Sequence, residues 1–233
     1  EIPKRDWSSD VCSSDLAVSG GTVSCGSDYP ISERGVVFGI NPNPTKENSF
    51  ALASDNNNSF MAAMSLPLFT GYYYRSYAVN EGGISYGPEK FYTNYFTIGT
   101  ETRMVLTSNY MPQVAWGGYN VVVQAWDPID GSINTNNIMN TSGIGFSAAS
   151  YCSNMGIYGY DDWYLPSKGE LEKMYENKAL IGNFNNDYYW SSNADEYDAT
   201  LSKSIELNTG TAQSLSRINE FWVRCIRKVN NTK

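Results

Sequence analysis

From Ala17 to about Thr97 apolar and polar positions alternate with a period of two, broken by clusters of turn-forming residues. SGGTVSC, RGVVFGI and SFMAAMSL read as strands, while NPNPTKEN and ASDNNNS, rich in Asn, Pro and Ser, read as loops. The strongest strand is YYYRSYAVN, Tyr72 to Asn80, followed by EGG and a second strand, ISYGPEKFYT. In a pleated strand Tyr72, Tyr74, Ser76 and Ala78 share one face, and Tyr73, Arg75, Tyr77 and Val79 the other. The pattern predicts an all-β sandwich with Tyr73 and Tyr77 on its half-exposed surface.

Beyond a link around Ile98 to Thr107 the pattern changes. VAWGGYNVVVQAW reads as short strands. FSAASYCSNMG follows with apolar spacing of a helix: Ala148, Tyr151, Cys152 and Met155 fall at i, i+3, i+4 and i+7. Ser147 can cap its start and Gly156 can end it. A second helix opens at LPSKGELEKMY, where Ser167 and Glu170 form a capping box and Leu171, Met174 and Tyr175 a buried stripe. EFWVRCIRKV then alternates Phe221, Val223 and Cys225 against Trp222, Arg224 and Ile226, as one strand. This half reads as α+β.

Charge and composition narrow the chemistry. With 24 acidic against 16 basic residues the 233-residue chain carries a net charge of −8, without the basic stripe of a nucleic-acid binder. Histidine is absent, which removes Ser-His-Asp and Cys-His catalysis and His-based metal sites. Aromatics at 14% and charges at only 17% exclude a disordered chain. No apolar run is long enough to cross a bilayer as a helix.

Residues Asp6 to Leu16, DWSSDVCSSDL, resemble the in-frame translation of a common short-read sequencing adapter. Residues 1–16 are therefore set aside, and with them Trp7 and Cys12. Dropping their four acidic and two basic residues moves the net charge from −8 to −6. The true N-terminus, with any signal or surface anchor it holds, is expected to be missing.

Two resemblances then give the pattern a context. The run RGVVFG…NPT…YYYRSYAVNEGGISYGPEKFYT resembles fibronectin type III-like modules of Gram-negative surface proteins. It implies a spacer over 17–98, lacking its first strand, with Tyr72 the inward tyrosine near the start of strand F. GSINTNNI, AASYCSN, GYDDWYLPSKGELEKMY and YYWSSN…FWVRCIR occur in an order that resembles the Lcl C-terminal-like domain family, named after bacterial collagen-like adhesins. That resemblance covers about 110–229 within a domain over 99–233. It implies a C-type-lectin-like fold of two helices flanking a twisted set of strands. It also implies an extracellular or cell-surface location in a bacterium, binding of glycosaminoglycan-like or other host-surface ligands, and no catalysis.

Several residue roles follow from the second resemblance. A disulfide joins Cys152 to Cys225, the other reading being two buried thiols packed as small apolar groups. Cys25 is then left over, with no partner at metal-ligand or redox spacing. Trp163, Leu165, Pro166 and Trp190 are architectural, with the WYLP run setting the chain's approach to the capped helix. The ligand face falls between YWSS and the last strand, on Asn193, Asp195, Glu196, Tyr197, Lys203, Arg217, Asn219 and Glu220, a mixture suited to a polar or glycan ligand and also to simple solvation. The same Asn-, Tyr-, Asp- and Ser-rich region resembles the variable face of proteins diversified by retroelements.

No cofactor or metal is expected. The calcium-binding triplets of sugar-binding C-type lectins are absent, and the Asp127–Asp130 stretch misses the spacing of an EF-hand loop and reads as a turn. Asp161 and Asp162 are a weak cation candidate or simply solvated. The combined reading is an adhesin-like binding protein with a glycan or neighbouring-cell partner, no nucleic-acid partner, and room for oligomerisation. The alternatives are a structural stalk or pilus-tip piece that binds proteins, and an enzyme of related topology. The missing histidine and missing reactive cysteine pair weigh against the enzyme.

Overall fold

A computed structural model describes residues 11–12, 17–22, 30–54, 59–64, 66, 71–106 and 111–229 (for 11–12 and 17–22, the backbone only). The chain divides into two compact units, Glu1–Asn94 and Tyr95–Lys233. Cys25 lies outside the described residues.

The first unit is built from two antiparallel sheets. One has the order β1 (Val11–Cys12), β2 (Ala17–Thr22), β5 (Ser59–Met64). The other has the order β4 (Ser49–Leu52), β3 (Glu33–Gly39), β6 (Tyr72–Asn80), β7 (Gly83–Tyr86), with β8 (Lys90–Tyr92) also pairing β6. Two of the residues set aside as adapter-like, Val11 and Cys12, thus take part in a backbone ladder opposite Ser19 and Val18. The core packs Val36 and Phe38 against Phe60, Ala62, Met64, Tyr72, Tyr74 and Ala78. Tyr72 is buried and meets Phe38 edge-on at 6.4 Å. Gly35 has to be glycine, because a Cβ there would sit 2.1 Å from the Ala51 carbonyl oxygen on the adjacent strand. Tyr77 departs from the alternation rule. It is fully buried rather than surface-facing, because its hydroxyl donates to Glu33 at 2.5 Å and Lys46 Nζ lies 5.8 Å from its ring.

The second unit holds a five-stranded sheet in the order β11 (Gln113–Ala115), β15 (Glu220–Trp222), β12 (Tyr188–Ala194), β13 (Leu201–Glu206), β14 (Thr211–Ser216). Its neighbours are antiparallel except β12 and β15, which run parallel. A smaller sheet joins β16 (Ile226–Val229), β10 (Glu101–Val105) and β9 (Tyr95–Ile98). The segment expected to link the two halves is therefore the β9–β10 hairpin, held by ladder bonds and by the buried Arg103. EFWVRCIRKV is not one strand. It breaks at Val223–Cys225 and passes from one sheet to the other, so Val223, Arg224, Cys225 and Ile226 are all buried and the alternation is lost.

Among the described residues four helical segments form rather than two: α1 (Gly131–Met139), α2 (Ala148–Ser153), α3 (Lys168–Glu176) and α4 (Lys178–Ile181). Helix α1 is poor in strong helix formers, and its signal is the cap, Asp130, whose carboxylate accepts from the Ser132 N–H. Ser147 caps α2 in a reciprocal box with Ser150, and the helix stops at Asn154, before Gly156. VAWGGYNVVVQAW forms a ladder only at Val114 and Ala115, the end of β11. After it, positive φ values at Gly117, Gly118 and Asn120 turn the chain, yet Val123 and Ala125 still point inward.

Glu170 joins four stretches of this unit: β10, the start of α1, the WYLP run and the cap of α3. Its Oε1 accepts from Arg103 Nε at 2.6 Å and the Tyr164 hydroxyl at 2.8 Å, and its Oε2 accepts from the N–H groups of Gly131 and Ser167, both at 2.9 Å. All of this is buried. Burial opposes the charge on Arg103, but Glu170, Tyr164 and Glu101 outweigh it and raise the guanidinium's pKa above its ordinary value. Burial, then the Glu170 charge, raises that of Tyr164. Beside this node Cys152 and Cys225 are disulfide-bonded, 5.4 Å apart at Cα. Trp163, Leu165, Pro166 and Trp190 are buried.

Glu170→Ala leaves Arg103 buried without its main partner, so urea unfolding of the second unit is expected to show a loss of about 3–5 kcal/mol. A loss under about 1 kcal/mol would show that water replaces the carboxylate. Replacing Cys152 and Cys225 together by serine opens a loop of 73 residues and is expected to cost about 4 kcal/mol in the chain-entropy account.

Candidate functional site

Three irregular segments of the second unit meet at Arg217. The first follows β11, the second is the β12–β13 connection, and the third is the turn between β14 and β15. Trp116 N–H donates to the Arg217 carbonyl at 3.0 Å, Asn120 N–H to Ala199 at 3.2 Å, and Arg217 N–H to Thr200 at 2.9 Å. A fourth segment, 141–147, is tied on by Gly118 N–H to the Ile144 carbonyl at 3.0 Å. Glycine is required at 117, where φ is +93° and a Cβ would lie 2.6 Å from the Ser147 side chain.

Arg217 sits under this cluster. Its Nε donates to the Leu201 carbonyl (3.0 Å) and Ser202 Oγ (2.9 Å), and its Nη1 to the carbonyls of Gly118 (3.1 Å) and Val121 (2.7 Å). The guanidinium lies 4.3 Å from the Trp116 ring centre, a cation–π contact. Burial pushes its pKa down to about 10, against the pull of Asp195 and Asp198. Expected as a ligand contact, Arg217 is only 1% exposed and has its Nε and Nη1 donors committed to the scaffold. Asn193 is likewise turned inward: its Oδ1 accepts from Lys168 N–H at 2.7 Å and its Nδ2 donates to the Asp127 carbonyl at 2.8 Å.

The remaining candidates separate into two groups. Asp195 and Lys203 form a half-buried pair at 2.6 Å, with Ser214 Oγ donating to the same carboxylate oxygen at 2.6 Å. Burial works to raise the Asp195 pKa, but Lys203, Ser214 and the Tyr197 N–H prevail and hold it well below the usual carboxylate range. Glu196, Tyr197, Asn219 and Glu220 are exposed, and the Tyr197 ring is 94% exposed. Four apolar side chains on the same segments were not among the expected contacts: Tyr119, Val122, Phe146 and Ile218. The available signal was large apolar residues in loops otherwise made of Gly, Asn and Ser; Val122 was absorbed instead into a strand pattern.

Three of the four carboxylates in the acidic pairs, Asp127, Asp130 and Asp162, have internal partners. Asp127 Oδ1 accepts from the N–H groups of Ile129 and Asp130, closing the expected turn, and Asp130 caps α1 while pairing with Lys228. Asp162 binds Arg227 in a fork, at 2.6 and 2.9 Å. Among the described residues no group of three or more His, Cys, Asp or Glu side chains is placed to hold a metal ion.

Arg217→Ala is expected to lower the unfolding midpoint clearly, because a buried guanidinium bound to four acceptors is removed, whereas Tyr197→Ala should change stability by less than about 0.5 kcal/mol. Equal effects from the two would contradict the assignment of Arg217 to the scaffold. Because the folded Asp195 pKa is depressed, its contribution is present above the unfolded value of about 3.9 and is lost as pH falls below it. The stability gap between the native chain and Asp195→Asn, followed by urea unfolding, should therefore shrink from pH 7 to pH 3.

Residues 106–227 match the family described as the Lcl C-terminal domain. Among solved structures, the adhesin InvE of Yersinia pseudotuberculosis is similar at a TM-score of 0.29 and 11% identity, over 95% of this chain and 70% of that one. No curated protein matches the sequence.

Proposed function

The chain belongs to the Lcl C-terminal domain family, and from that premise we propose that it is an extracellular or cell-surface adhesion protein of a bacterium. Its second unit takes a ligand on an opposing surface at the loop cluster over Arg217. The observation that carries this reading is the pairing of a 94% exposed Tyr197 with loops locked from beneath by a buried guanidinium. Rigid loops lose little conformational freedom on binding, and an exposed tyrosine brings large contact area at low entropic cost.

The same reading assigns the architecture. A fibronectin type III-like spacer is supported in the first unit by the two sheet orders, β1-β2-β5 and β4-β3-β6-β7, and by the buried Tyr72. A C-type-lectin-like second unit is supported by the disulfide from α2 to the segment before β16. Recognition of a glycan or other surface ligand without obligatory calcium is favoured because Asp130, Asp162 and Asp195 are each engaged by a cationic side chain. A binding role rather than catalysis is favoured by the structural use of the buried carboxylate Glu170.

The test is binding of the full chain, with its disulfide oxidised, to arrays of glycans, glycosaminoglycans and extracellular host proteins, with and without a calcium chelator. Saturable binding that survives chelation and is lost in Tyr197→Ala is the expected result. Binding that persists unchanged in Tyr197→Ala places the site elsewhere, and a folded chain that is blank on every array favours the structural stalk.

A further inference from the structure

The surface chemistry of the Arg217 cluster narrows the class of partner. Val122 is 75% exposed, Phe146 67% and Ile218 63%, and none has a polar handle. They project from segments fastened to one another by the backbone bonds at Gly118, Asn120 and Arg217, together with Tyr119 and Tyr197. Around them the ionised groups are of one sign. Glu196 and Asp198 flank Tyr197, Glu220 follows Ile218 by two residues, and all three are exposed. The segments 116–126, 141–147, 195–200 and 217–220 contain no Lys or Arg other than Arg217, which is buried. The neighbouring Lys203 is spent on Asp195 and Ser214. The whole second unit is acidic as well, with fourteen acidic and ten basic residues leaving −4.

Resting on the reading of this cluster as the binding face, we infer that its partner is a protein surface presenting Lys or Arg side chains among apolar ones. Apolar residues bordered by charged ones are the ordinary make-up of a protein–protein interface, and tyrosine is enriched in such patches. Charge complementarity disfavours the anionic polysaccharides that the family resemblance brought forward, because three exposed carboxylates would meet sulfate or uronate groups of the same sign. Hydrated neutral sugars fit less well at Val122 and Ile218, which offer them neither a flat ring nor a hydrogen bond.

The experiment titrates the full oxidised chain with two probes, a ten-residue peptide of alternating Lys and Leu and a heparin oligosaccharide, followed by calorimetry. The peptide is expected to bind saturably and to weaken as salt rises, since exposed charges are screened within about 10 Å at 0.1 M. Glu196→Gln, Asp198→Asn and Glu220→Gln combined should weaken it about tenfold, and Tyr197→Ala or Ile218→Ser should weaken it in either salt condition. These side chains are exposed, and the amide introduced by Asp198→Asn keeps a carbonyl oxygen for the Thr200 N–H that now donates to Asp198. An unchanged thermal midpoint shows that the variants stay folded. Heparin binding that is lost in Tyr197→Ala overturns the charge inference while the face stands. Peptide binding indifferent to all these substitutions, or no saturation by the peptide up to about 1 mM, also overturns it.

Discussion

One buried carboxylate holds the second unit in register. Glu170 is cut off from water and accepts four hydrogen bonds, from a guanidinium, a phenol and two backbone N–H groups. An ionised group so placed is tolerable only when its lone pairs are filled, because desolvation costs several kcal/mol per ion. Those four donors come from β10, from the start of α1, from the WYLP run and from the cap of α3. The segments must therefore arrive together. Displacing any one of them leaves a charge or a buried N–H without a partner, which is how a side chain that helps cap a helix comes to set the positions of elements far away in sequence.

Arg217 solves the complementary problem with different means. Its hydrogen bonds go to main-chain carbonyls and a serine hydroxyl rather than to a carboxylate, and the face of Trp116 covers it. This is why its pKa is pushed down while that of Arg103, bound to Glu170, moves up. Carbonyl acceptors have a structural consequence as well. They belong to the backbone of the segments around residues 118–121 and 201, so the guanidinium fastens the loop backbones themselves and leaves their side chains free to face outward. A cluster organised in this way can vary its exposed residues without loosening its frame.

Part of this was readable from the chain. Strands β2, β3, β5 and β6 of the first unit, the Ser167–Glu170 cap and the helix carrying Cys152 follow from local rules, period-two alternation and short-range capping. Those rules do not mark β4, and ISYGPEKFYT, which reads as one strand, divides into β7 and β8. The pairing of Cys152 with Cys225 came through the family resemblance rather than through spacing, and the disulfide is present. Helix α1 escaped because its stability lies in tertiary contacts. Asn134 bonds Asp127 and Ser192, and the α1 start at Gly131 is anchored on Glu170. Its intrinsic propensity is low.

Arginine and asparagine mark the boundary between the two kinds of information. Polar residues in an irregular stretch read as solvent-facing, so Asn193 and Arg217 looked like ligand contacts, whereas both are buried. A side chain's direction there depends on which distant carbonyls lie within reach, here those of Asp127, 66 residues from Asn193, and Gly118, 99 residues from Arg217. The split of the last strand between two sheets has the same origin, since no local pattern says which neighbour each half will pair with. By itself the sequence determined the period of each element, the caps and the acidic, histidine-free chemistry, because those depend on residues a few positions apart. Only the tertiary structure decided which polar groups are spent inside and which aromatic and apolar ones remain for a partner, because burial is a property of the assembled chain.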